Sequence, residues 1–222
     1  MQRLAAEQQR ALRAQASRRV LSKGEKLFLD GDTAVEVFIV VAGQVKITVM
    51  SHDGRQLLVE VHGYGALLGE LAGFSDDTRA ASAFALTSPT EVLVLNRRSF
   101  EESVLGDPVM TKALIDELAY KLRLASFRQL ELAVDDVSGR VVRRLLELAE
   151  RFGEASDDGT TTFRSPITQQ DLADWAGVSR QAVVKELRLL RDAGAIATQG
   201  SRFTLLDRTG LNERAQRLGE PS

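Results

Sequence analysis

The feature that most constrains this chain is an apolar seam in its middle. Thr111, Ile115, Leu118, Leu122, Ala125, Gln129 and Leu132 are spaced alternately four and three residues apart. A single stripe of this kind, sustained over three heptads, calls for a long helix and suits a two-stranded coiled coil. Pro108 stands where the pattern begins, a position at which the missing N–H costs nothing. The expected helix runs from Pro108 to about Val134. It could be laid against its own domain, but polar Gln129 and small Ala125 would fill such a core poorly. The seam therefore points to a dimer through Ile115, Leu118, Leu122, Ala125 and Leu132.

The two sides of this helix differ in periodicity. After a short leading helix, about Ala5 to Ala16, the segment from Lys26 to Leu95 reads as short strands. Val37 to Val41, Val45 to Val49 and Leu57 to Val61 are rich in apolar and β-branched residues, and Asp53-Gly54 is a hairpin signal because that turn needs positive φ. Many short strands at this spacing suggest an antiparallel barrel or jelly roll. Beyond the seam, Asp135 to Gly139 interrupts the pattern, and Arg140 to Phe152 starts an amphipathic helix with Val141, Leu145, Leu148 and Ala149 on one face. Ala155 to Ser165 is a polar loop or small hairpin. The expected architecture is α+β, divided into residues 1–107, 108–135 and 136–222.

Thr168-Gln169-Gln170-Asp171 sets a hydroxyl N-cap three residues before an acidic side chain. The helix it opens ends at Gly177. Ser179 caps a second one, Arg180 to Asp192, with Gly194 as its stop. Two short helices joined by a tight turn make a helix-turn-helix. On a helical wheel Val183, Leu187 and Leu190 cluster on one side, and Gln181, Val184, Lys185 and Arg188 on the other. A recognition helix presents its first residues to base edges, where Arg reads guanine and Gln reads adenine. Ile196 to Thr198 and Arg202 to Leu206, joined at Gln199-Gly200-Ser201, supply a wing.

Composition narrows the remaining classes. The net charge is −2, so nucleic acid is not announced globally, but six basic residues stand against four acidic ones between Arg164 and Arg202. No cysteine occurs. That removes disulfides, thiolate-held iron–sulfur clusters, a catalytic thiol and Cys-ligated zinc. Met1 to Arg19 is broken by Arg3, Glu7, Arg10 and Arg13, so neither a signal peptide nor a membrane span is expected, and the implied compartment is the cytoplasm. The only histidines, His52 and His62, fall in a hairpin and at a strand end, where exposed surface is expected and haem ligation is not. No Ser/His/Asp set, metal cluster, P-loop or paired-carboxylate site marks an enzyme, and no catalytic or metal-ligating residue is assigned.

Gly69-Glu70-Leu71-Ala72-Gly73-Phe74, followed by Thr78-Arg79-Ala80-Ala81-Ser82, is the most specific feature of the first region. The carboxylate can accept hydrogen bonds from a ribose hydroxyl, and Arg79 can pair with phosphate. Small residues would let backbone N–H groups approach the anion. Glu and Arg nine apart are more often surface charges. Position within a predicted barrel strengthens the functional reading.

The order of parts resembles the cyclic AMP receptor protein / FNR family of bacterial transcription regulators. Gly31-Asp32, Val41 to Val45, Gly69 to Leu71, Arg79 to Ala81, the long helix, Asp136 to Arg140 and Val178 to Val183 carry the likeness, which spans nearly the whole chain. The resemblance implies a cyclic-nucleotide-binding jelly roll, a dimerising helix and a winged helix acting on promoters, with RNA polymerase as a further partner. It implies that Glu70 and the Gly69 backbone hold the ribose 2′-hydroxyl, with Leu71 also at the ligand, that Arg79 and the Ala80 amide hold a cyclic phosphate, and that Ser126 approaches the purine across the dimer. It also implies that Thr168, Gln170, Ser179, Arg180, Gln181 and Lys185 contact two-fold related half-sites of double-stranded DNA. The ligand would be cyclic AMP or a relative, with no metal, haem or iron–sulfur cluster.

The chain departs from that pattern at three positions. Receptors for cyclic AMP carry hydroxyl residues where Ala80 and Ala125 stand, which removes two ligand hydrogen bonds worth ~1 kcal/mol each. Gln181 replaces the glutamate after the arginine, so the half-site should differ. Two alternatives follow: a family member whose pocket is degenerate or whose DNA binding is ligand-independent, and a nucleotide-binding dimer whose helix-turn-helix meets protein.

Overall fold

In a computed structural model of the chain, residues 6–70 and 78–216 are described. They form two compact units, Met1–Leu124 and Ala125–Ser222. In the first, α1 (Ala6–Gln15) leads into β1 (Ser17–Leu21), β2 (Lys26–Phe28), β3 (Glu36–Ala42), β4 (Val45–Met50), β5 (Gln56–His62), β6 (Leu67–Leu68), β7 (Ser82–Ala85) and β8 (Thr90–Asn96). These strands make two antiparallel four-stranded sheets, ordered β1-β8-β3-β6 and β2-β7-β4-β5. The result is the expected double-sheet sandwich.

β3 shows why it has a second covered face. Val37, Phe38, Ile39 and Val40 are each no more than 1% exposed, although successive strand side chains point to opposite faces. Phe38 and Val40 join the inter-sheet core with Leu21, Leu27, Phe28, Val45, Leu68 and Val92. Val37 and Ile39 instead pack with Leu12 of α1 and with Phe100 and Val104 of α2 (Arg97–Gly106). The predicted hairpin joins β4 to β5, with Met50 opposite Gln56 and Gly54 at φ +81°.

A single helix, α3 (Pro108–Val134), follows, and the boundary between the units falls inside it. Its last ten residues pack with the second unit. There α4 (Val137–Phe152) buries Val141, Leu145, Leu148 and Ala149, as its periodicity required. It starts at Val137, not Arg140, because the Asp136 side chain caps it and accepts a 2.6 Å hydrogen bond from Gly139 N–H. Gly139 is consequently a buried helical residue, so the break in pattern ends at Asp136.

The remaining elements are β9 (Glu154–Ala155), β10 (Thr161–Arg164), α5 (Gln169–Ala176), α6 (Arg180–Asp192), β11 (Ile196–Gln199), β12 (Arg202–Leu205) and α7 (Arg208–Gln216). The four strands form one antiparallel sheet, ordered β11-β12-β10-β9, so the wing continues into the Glu154–Arg164 hairpin. α7 has no counterpart among the sequence expectations. It packs on α4 and buries Leu211 and Ala215. Among the described residues, no helix is long and apolar enough to cross a membrane.

Candidate functional site

In the first unit, the tip of β6 and the entry to β7 bring Glu70 and Arg79 into the sandwich, 3% and 4% exposed. The Arg79 guanidinium lies 4.5 Å from the centre of the Phe28 ring and also faces Phe38. Its Nη1 donates to the Gly69 carbonyl at 2.9 Å, and its Nη2 donates to the carbonyl of Glu36. Burial lowers the arginine's pKa, and the Glu36, Asp32 and Glu70 charges act against that shift. The backbone is fixed by the Gly31-Asp32 turn, with Gly31 N–H bonded to Arg79 O at 2.8 Å and Arg79 N–H to Asp32 O at 2.9 Å. Gly69 is required here: its φ is +79°, and a Cβ would stand 2.3 Å from Arg79 Nη1.

Glu70 has a partner that sequence reasoning missed. Lys121 Nζ, from α3, donates to Glu70 Oε1 at 2.8 Å and to the Leu67 carbonyl at 3.0 Å. A lone lysine beside a heptad seam carries no local signal of such a role; its carboxylate lies 51 positions away. The pocket thus satisfies much of its own polarity. Arg79 and Glu70 are both buried, but each is held by other groups: Lys121 holds the carboxylate, and two backbone carbonyls hold the arginine. Arg79 Nε is buried with no hydrogen-bond partner. Ala80 is exposed, Ser126 is exposed on α3, and Leu71 lies outside the described residues.

The helix-turn-helix in the second unit follows its local signals closely. Thr168 Oγ1 accepts from Asp171 N–H at 3.1 Å and Asp171 Oδ2 accepts from Thr168 N–H at 2.9 Å, a reciprocal capping box. Gly177 ends α5 at φ +64°, and Ser179 Oγ accepts from Ala182 N–H at 3.1 Å to start α6. Val183, Leu187 and Leu190 are buried. The other face carries Arg180, Gln181, Val184, Lys185 and Arg188, which line an open depression. Thr168, Gln170 and Ser179 are exposed as well, with Gln170 held by Asp174 Oδ1 at 2.8 Å. Arg164 and Arg202 are exposed and sit directly opposite each other in the β10–β12 ladder.

Along α3, Ile115, Leu122, Ala125 and Leu132 are exposed and Leu118 is half-buried. Apolar exposure extends beyond the seam to Phe127, Leu130 and Val134. His62 differs from expectation. Its side chain is 11% exposed, with Nε2 3.4 Å from Glu60 Oε2, because it closes the β5 ladder opposite Val45. Among the described residues, no group of three or more His, Asp or Glu side chains is placed to hold a metal.

A sandwich with a buried Glu–Arg site, followed by a long helix and a winged helix with an exposed basic face, defines a sensor joined to a DNA-binding module. Residues 18–106 match the cyclic nucleotide-binding domain and residues 139–214 the Crp-like helix-turn-helix domain. Over 194 residues the chain is 30% identical to the CRP-like cAMP-activated global transcriptional regulator of Mycobacterium tuberculosis, covering 87% of this chain and 86% of that one. Its fold resembles FixK2 from Bradyrhizobium japonicum (TM-score 0.78, 24% identity, 93% of this chain and 98% of that one). It also resembles the c-di-GMP responsive global regulator CLP of Xanthomonas campestris (TM-score 0.76, 26% identity, 90% and 99%). The chain belongs to the CRP/FNR family of transcription regulators.

Proposed function

We propose that the chain is a homodimeric cytoplasmic regulator, and not an enzyme, that binds two-fold related DNA half-sites and recruits or blocks RNA polymerase there. The observation that carries this reading is α6. Its inner face is locked by Val183, Leu187 and Leu190, and its outer face holds Arg180, Gln181 and Lys185 in the open. Arg180 and Gln181 occupy the first turn, the part of a recognition helix that meets base edges. Thr168, Gln170 and Ser179 sit at or beside the two helix N-termini, where phosphates are favoured. Pairing through Ile115, Leu118, Leu122, Ala125 and Leu132 would supply the two-fold symmetry of half-sites that lie about 34 Å apart on DNA.

Arg180→Ala tests it. Affinity for the preferred duplex should fall by roughly 1–3 kcal/mol, with little change on random DNA. Equal losses on both would mean that Arg180 touches only phosphate, and an unchanged affinity would remove α6 from the interface.

In the sensor, Glu70 and the Gly69 backbone are suited to a ribose hydroxyl, and Arg79 and the Ala80 amide to a cyclic phosphate. The unsatisfied Nε of Arg79 favours an anion. Similar proteins are named for different ligands, cAMP for the mycobacterial regulator and c-di-GMP for the Xanthomonas one, so kinship alone selects neither. One observation favours a second reading, in which DNA binding needs little or no ligand: Lys121 already neutralises Glu70, and carbonyls already hold Arg79. A thermal-shift screen of cyclic mono- and dinucleotides separates the two, because a ligand of the native state raises the melting temperature.

A further inference from the structure

The recognition helix carries one charge that its outer face does not use. Glu186 follows Lys185 on α6 but is 6% exposed, turned inward among Val183, Leu187 and Leu190. Its Oε1 accepts a 2.6 Å hydrogen bond from Ser138 Oγ, at the start of α4, and lies 3.7 Å from Arg214 Nη1 of α7. The same turn of α4 also holds α5, since Arg140 Nε donates to the carbonyl of Ala176 at 3.0 Å. This turn is closely packed: a Cβ on Gly139 would meet Asp136 Oδ1 at 3.2 Å and Arg214 O at 3.5 Å.

A buried carboxylate in an apolar face is costly unless it is paired and hydrogen-bonded. A leucine would fill the same place at no such cost, so stability is a poor account of Glu186. Apolar contacts are non-directional, and the Val183, Leu187 and Leu190 face could tolerate small rotations of α6 about its axis. A hydrogen bond is directional and short. Successive residues are 100° apart on the helix, so Glu186 and Lys185 turn together. Pinning the carboxylate to Ser138 pins the side chains that face the groove.

We propose that Glu186 is a positioning residue for DNA recognition: held by Ser138 and Arg214, it sets the rotation of α6 and so the aim of Arg180, Gln181 and Lys185. This rests on the reading of α6 as the DNA-reading helix. It acts on discrimination between sequences, not on affinity for DNA as such, because phosphate contacts tolerate a displacement that base contacts do not.

The test uses the full chain and a duplex selected by the parent protein from a randomised pool. Glu186→Met keeps the volume and removes the charge. It should fold with an unchanged or higher melting temperature and bind random duplex like the parent. On the selected duplex it should lose about tenfold, the size of one misplaced base contact. Ser138→Ala should show the same selective loss and serves alone if Glu186→Met does not fold. Adding it to Glu186→Met should cost nothing more, because the two changes break one interaction. Glu186→Gln keeps an acceptor for Ser138 and should stay near the parent. Parallel losses on both duplexes that track the melting temperature would make Glu186 merely structural and overturn the proposal, as would full discrimination in Glu186→Met or Ser138→Ala. A parent with no preference for its own selected duplex would overturn the reading of α6 itself, and this proposal with it.

Discussion

Arg79 in the first unit and Arg144 in the second are 4% and 1% exposed, yet they are held in opposite ways. Arg79 is bonded to two backbone carbonyls and lies against aromatic faces, and it hydrogen-bonds no carboxylate among the described residues. Arg144 sits between the carboxylates of Glu131 and Glu147, the second at 2.6 Å, over the ring of Trp175. Arg143 extends the set, pairing with Glu131 at 2.7 Å and Asp135 at 2.6 Å. Burial lowers the pKa of Arg144 and raises that of Glu147, each opposed by its partner's charge. The two arginines differ in the charge of the groups that hold them. Neutral carbonyls leave a guanidinium free to exchange one partner for an incoming anion. Carboxylates from α3 and α4 pair with arginines close by and tie the end of α3 to α4 and Trp175.

The largest effect should come from Arg144. Arg144→Met leaves the buried Glu131 and the half-buried Glu147 short of a cation and should cost about 3–5 kcal/mol in denaturant unfolding. Arg79→Met leaves two neutral carbonyls unpaired and should cost less, about 1–3 kcal/mol. Adding Glu131→Gln to Arg144→Met should cost less than the two single changes summed, because one charge no longer needs the other. An Arg79→Met loss larger than that of Arg144→Met would reverse the assignment of roles.

Lys121 offers a sharper cut within the first unit. Lys121→Met strips the only cation hydrogen-bonded to Glu70 among the described residues, leaving a 3%-exposed carboxylate unpaired, and should cost about 1–3 kcal/mol. Glu70→Gln in the same chain should restore most of it. If the double variant is no better than the single one, the pair is not coupled, and Lys121 matters only through Leu67.

These contacts also mark what a one-dimensional reading can reach. α3, the capped helices α5 and α6, and the β4–β5 hairpin depend on neighbours within a few residues, so heptad spacing, Thr168-Asp171 and Asp53-Gly54 expose them. The carbonyls around Arg79 cannot be read, since a backbone group has no letter. The Lys121–Glu70 and Ser138–Glu186 pairs span 51 and 48 positions and carry no periodicity. The amphipathic pattern of α4 finds Val141, Leu145, Leu148 and Ala149 but not buried Arg144, because the tail of α3 and Trp175 cover a second face that looks polar in sequence. Gly139 reads as a break in the sequence because its place in α4 depends on a cap by Asp136 that a glycine after Val137-Ser138 does not suggest.

The smallest effect expected is that of cyclic AMP itself. To take a ribose hydroxyl, Glu70 would give up part of its 2.8 Å bond to Lys121. To take a phosphate with more than its free Nε, Arg79 would turn from the carbonyls of Gly69 and Glu36. Each is an exchange of one hydrogen bond for another, and such exchanges net only about 1 kcal/mol. Ala80 and Ala125 offer no hydroxyl to add to the ligand's side. A ligand can shift a two-state protein only by the difference in its affinity for the two states. Cyclic AMP should therefore bind weakly and change DNA affinity by less than about tenfold, ~1.4 kcal/mol of coupling. Calorimetry with cyclic AMP, and duplex titrations with and without it, check this. Submicromolar binding with a hundredfold gain in DNA affinity, both lost in Arg79→Ala, would show that the resident bonds are no obstacle and that the first unit depends on its ligand as firmly as the second does on its ion pairs.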